Sequence, residues 1–265
     1  MAGDGNETLS GESDVSPRPL DLPKVLVQLD DTDPRVRREA VERIESVVDE
    51  APETCVPTVP KLRQLLDREL SPCHESVTYC LAELASESPE DVVPSVEAIV
   101  SFARSNTPHP GTTHALRALT HVANAQPEPV VEYVEPIASV VKADDGIDRW
   151  AIRLFETLST RNAPSLEPVL PVLTDALEHD DSQTRATAAR TIATIARETE
   201  RTPDSVREAL VGRLEDEYVR VRTNAAIALG YGCDTTVEPK LERMATVDPN
   251  PVARTRAAWA LTQLS

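Results

Sequence analysis

Apolar residues recur along this chain at i, i+4 and i+8, and the set itself returns every 32 to 38 positions. At its centre stand Ala40, Val77, Ala115, Ala151, Ala188, Ala225 and Ala257, separated by 37, 38, 36, 37, 37 and 32 residues. Four positions later come Ile44, Leu81, Leu119, Phe155, Ile192, Leu229 and Leu261. Four earlier come Val36, Cys73, Gly111, Ile147, Thr184, Val221 and Ala253. With 3.6 residues per turn, that spacing places each trio on one face of a helix. A second apolar run precedes most sets, at 57–69, 92–104, 130–142, 165–177 and 203–214. The pattern predicts about seven helix pairs. One such pair cannot bury its apolar faces alone, but stacked copies can, each touching only its neighbours. The expected fold is therefore all-α, a solenoid over 21–265. Residues 1–20, rich in Gly, Ser, Asp, Glu and Pro, hold too little apolar surface to offset the entropy of ordering, and are expected to form a disordered acidic tail.

Polar positions punctuate the repeat. Acidic or proline turns at 30–34, 143–146, 179–182 and 248–251 separate the helices, with aspartate or serine placed to cap the second one. Asp33 and Arg37, and Asp181 and Arg185, stand four apart and are expected to tie turn to helix, at about 0.5 kcal/mol each. Pro60, Pro94, Pro136 and Pro171 fall inside the first helices, where proline either bends a helix or begins one.

Composition narrows the chemistry. The chain has 45 acidic and 27 basic residues, a net charge of -18, and only four lysines, Lys24, Lys61, Lys142 and Lys240. An acidic, lysine-poor surface suits a halophilic, high-salt cytoplasm and opposes nonspecific binding to DNA or an anionic membrane. No apolar run is long enough to span a membrane, and the N-terminus lacks the basic start and apolar core of a signal peptide. A cytoplasmic location is expected. Cys55, Cys73, Cys80 and Cys233 show no metal-type spacing and read as free thiols. His114 and His121 are seven apart, about 10 Å along a helix, too far to share a metal. With no nucleophile–base set, phosphate loop or zinc motif, neither catalysis nor a cofactor is expected.

The segments DEYVRVRTNAAIALG (216–230) and DPNPVARTRAAWAL (248–261) resemble HEAT repeats, most closely the short HEAT-like repeat of bilin lyases. DPRVRREAVERI (33–44) is similar to the longer HEAT form. The resemblance is weaker in the second to fourth copies, where the arginine column holds His74, Thr112 and Asp148. It implies an armadillo-like superhelix that acts as an interaction surface, its second helices lining the concave face. Two other functions have a weaker claim. One is a HEAT-like DNA glycosylase, whose basic groove the neighbours Asp148, Arg149 and Trp150 would echo. The other is a bilin-lyase-like, cofactor-handling subunit.

Positions opposite the apolar stripe of each second helix then become candidates for binding. They carry Tyr79, Arg117, Arg149, Arg153, Arg190 and Arg197, followed by Ile227 and Trp259 in the last copies. Arginine pairs with carboxylates through a planar fork, and Arg and Trp are favoured interface anchors. The expected activity is non-enzymatic scaffolding, with this face taking an acidic segment of another protein. Trp150, flanking the stripe, is expected to fill a joint between copies.

Overall fold

The structure, a computed structural model, describes residues 20–67, 73–143, 149–232 and 235–264. The expected tail up to residue 19, Cys233, Ile147 and most of the 143–146 turn lie outside the described residues. Among the described residues, the longer helices form pairs: α1 Leu22–Leu29 with α2 Pro34–Val48, α3 Val59–Leu66 with α4 His74–Glu87, α5 Val96–Ser105 with α6 Pro110–Ala125, and α7 Val134–Ala143 with α8 Arg149–Asn162. They continue as α9 Leu170–Ala176 with α10 Ser182–Thr199, α11 Asp204–Arg213 with α12 Val219–Gly232, and α13 Glu238–Val247 with α14 Pro251–Gln263. Each second helix packs on the one before and the one after, α2 through α14, and the first helices follow suit from α1 to α11. The fold is an α-solenoid with one continuous apolar core.

The prolines begin helices. Pro60 and Pro171 are second residues of α3 and α9, Pro136 is third in α7, and Pro94 sits in a 3-10 turn ahead of α5. The helices α3, α5 and α9 each follow a 3-10 turn and are shorter than their apolar runs.

The central position of each repeated trio is buried as its spacing requires. Ala40, Val77, Ala151, Ala188, Ala225 and Ala257 have no solvent exposure, and Ala115 has 1%. Small side chains let neighbouring helices approach closely. At Gly230 a methyl group would stand 2.9 Å from the Cα of Ala260, so α12 and α14 meet where no side chain fits.

Aspartate and arginine divide the labour in the turns. Asp33 accepts from the Arg35 amide at 2.8 Å and Asp181 from the Thr184 amide at 2.8 Å, capping α2 and α10. Neither pairs with the arginine four positions on. Instead, Arg37 Nη1 donates to the carbonyls of Asp31 (2.7 Å) and Thr32 (2.9 Å). Arg185 does so to His179 and Asp180, Arg222 to Asp216 and Glu217, and Arg254 to Asp248. The other edge of the guanidinium reaches the next copy. Arg185 grips Asp216 through Nε (2.9 Å) and Nη2 (3.1 Å), and Arg222 grips Asp248 at 2.7 and 2.9 Å. Both pairs are buried. Arg185 and Arg222 therefore each close their own turn and bolt the following one.

Candidate binding face

Trp150, the second residue of α8, is half-buried beside α6, where the Thr120 hydroxyl donates to its carbonyl at 3.3 Å. Three arginines surround its ring: the guanidinium carbons of Arg153, Arg149 and Arg117 lie 5.3, 5.9 and 5.9 Å from the centroid. His121 adds a tilted ring contact at 5.8 Å. Cations over an indole face are held by its quadrupole. Periodicity explains the grouping, because 149 and 153 are one turn apart on α8 and Arg117 occupies the same position of α6 that Arg153 occupies of α8.

The arginines differ in how they are satisfied. Arg117 is three-quarters buried and paired to Glu83 of α4. Arg190 is paired to Glu156 of α8, and Arg197 to its neighbour Glu198 at 2.9 Å. Arg149 and Arg153 are exposed, and neither forms an ion pair with a carboxylate among the described residues. They border a concavity of about 680 Å³ between α8 and α10, lined also by Trp150, Glu156, Asp181 and Arg190. Asp181 is held below the usual carboxylate range by hydrogen bonds from the Thr184 hydroxyl and amide.

The other predicted residues are tied down. The Tyr79 hydroxyl donates to both oxygens of Asp49, 2.7 and 2.9 Å away, and that bond first, then burial, pushes its pKa up to about 12. Its ring stands edge-on to His114 at 5.3 Å. Burial, and then the Arg117 charge, holds both His114 and His121 below the usual histidine range. Ile227 is half-buried against the core, and Trp259 packs edge-on against Tyr231 at 5.0 Å. So Arg117, Arg149 and Arg153 meet around one ring, and Arg190 faces them across the concavity. Tyr79, Arg197, Ile227 and Trp259 are not part of that group. Other residues opposite the apolar stripe are buried: Ala82, Thr120, Ala186 and Ala193. A second helix in a stack has a neighbour on each flank, so its buried arc is wider than one stripe.

Residues 170–262, α9 to the end of α14, match a family model described as HEAT repeats. Over that stretch the solenoid is similar to HEAT repeats. No curated protein matches the chain in sequence. The match covers the HEAT repeats bearing the arginine–aspartate bolts. The Trp150 cluster lies outside it, in the divergent copies. Among the described residues no group of His, Cys, Asp and Glu is placed to hold a metal ion, and no helix is long and apolar enough to cross a membrane.

Proposed function

We propose that this HEAT solenoid is a non-enzymatic scaffold that holds an acidic segment of a partner protein in the concavity between α8 and α10. Arg149 and Arg153 are the carboxylate clamps, and Trp150 is the platform beside them. One observation carries the reading. In a chain of net charge -18, where Arg117, Arg190 and Arg197 are each matched by a carboxylate, two exposed arginines one turn apart meet an indole ring and no carboxylate among the described residues. Ring contact holds both forks in place, which lowers the entropy lost when a carboxylate arrives. Glu156 on the same helix and Asp181 on the opposite wall oppose a phosphodiester backbone running through the same space and favour discrete carboxylates. The net charge of -18 sets the selectivity by repelling acidic segments that lack a matching clamp.

The test is a titration of the full chain, carrying Trp259→Phe so that Trp150 alone reports, with a synthetic Asp/Glu-rich peptide. Saturable change in Trp150 fluorescence is expected, weakened at least about tenfold in Arg149→Glu/Arg153→Glu. An unchanged affinity in that variant, or no saturable change at any salt concentration, would overturn the proposal. Preference for alkylated duplex DNA over the peptide would transfer the site to the glycosylase reading.

A further inference from the structure

The two ends of the solenoid carry complementary halves of the same bolt. In the interior, Asp216 and Asp248 each accept an amide two residues on, from Tyr218 at 2.9 Å and Asn250 at 2.8 Å, and each offers the carboxylate to the arginine of the preceding copy. Asp31 makes the identical turn, accepting the Asp33 amide at 2.8 Å, and no cation reaches its carboxylate among the described residues. At the other end, Arg254 Nη1 closes its own turn on the Asp248 carbonyl at 2.6 Å. The edge that in Arg185 and Arg222 grips the next aspartate meets none among the described residues.

The helix face around Arg254 is open in the same sense. Ala189 of α10 and Ala226 of α12 have no exposure because the next helix covers them; their counterpart Ala258 on α14 is exposed. Leu261, counterpart of the buried Ile192 and Leu229, is half-exposed, and so is Arg254 beside it. The ends also differ in charge. Residues 235–264 hold four basic side chains and three acidic ones; residues 20–50 hold five basic and nine acidic.

We propose that copies of this chain associate head to tail, α2 of one docking on α14 of the next as α14 docks on α12, with Arg254 taking Asp31 as the joining bolt. The contact is heterologous, so it builds open linear assemblies. The outer face of α2 is polar, with Glu39, Glu42, Arg43 and Ser46 all exposed, and would meet Thr255, Thr262 and Gln263. Such an interface is weak and reversible compared with the apolar joints inside the chain.

Sedimentation of the full chain over a range of concentrations tests this. The parent should grow in mass beyond a dimer. Asp31→Asn, which keeps the turn's hydrogen-bond acceptor but removes the charge, should weaken association at least about tenfold, as should Arg254→Asp. Ala258→Arg, which crowds the open face, should also abolish it. The charge-exchanged Asp31→Arg/Arg254→Asp chain should recover it. A parent that stays monomeric at all concentrations, an Arg254 variant that acts while the Asp31 variant does not, or no recovery in the exchanged chain would each overturn the proposal.

Discussion

Asp248 occupies a tightly constrained polar position. It accepts two bonds from Arg222 and one from the Asn250 amide while only 5% of its side chain is exposed. The bonds from Arg222 depress its pKa against the opposing effect of burial. A carboxylate depressed in this way contributes stability that is complete above its unfolded pKa, near 3.9, and is lost as pH falls through the folded value. Replacing one partner of a buried pair leaves the other charge uncompensated. Asp248→Asn should therefore cost about 3 kcal/mol at neutral pH, read from denaturant midpoints. The deficit relative to the parent should shrink once the pH drops below about 4, because the parent loses the same charge. Asp216 is set up similarly: burial acts upward, but bonds from Arg185 and the Tyr218 amide hold it low. Neither aspartate was singled out by its spacing to an arginine in sequence, because each pairs with an arginine one whole copy earlier. The available signal was Asp at six positions before the arginine in three copies, Asp31, Asp216 and Asp248.

At the scale of the helix, space between neighbours decides what a substitution does. Gly230 and Gly212 are both helical, but only the first faces a neighbour. A methyl group at 230 would press on the backbone of Ala260, whereas one at 212 would meet nothing within 4 Å. Gly230→Ala should destabilise by about 2 kcal/mol by wedging α12 from α14. Gly212→Ala should stabilise by up to about 1 kcal/mol through helix propensity alone. Opposite signs for one chemical change, measured by thermal melts, would check the packing of the last copies. Helix pairing was legible in the sequence because the four-residue spacing repeats seven times, and the buried columns follow it. The breadth of the buried arc was not, because a single helix's periodicity cannot say that a second neighbour covers Ala186 and Ala193. The candidate site divides along the same line. Periodicity put Arg117, Arg149 and Arg153 on one face, but their convergence on Trp150, and the carboxylates that neutralise Arg117 and Arg190, depend on contacts between copies.

For the whole molecule, charge is the dominant collective term. A net charge of -18 over 265 residues repels itself in the compact state, and salt screens that repulsion. The melting temperature should climb by about 5 °C or more between roughly 0.05 and 1 M sodium chloride. A flat or falling curve would show that local pairing already cancels the surplus charge.

The arginine bolts also have a mechanical consequence. They join α10 to α12 and α12 to α14, while the same column in the second and third copies carries His74 and Thr112, which cannot span a joint with a fork. Without those forks the joints from α4 to α8 should exchange their helix amides with solvent faster than those from α10 to α14. Curvature would then adjust beside Trp150 while the end that carries Arg254 keeps its shape.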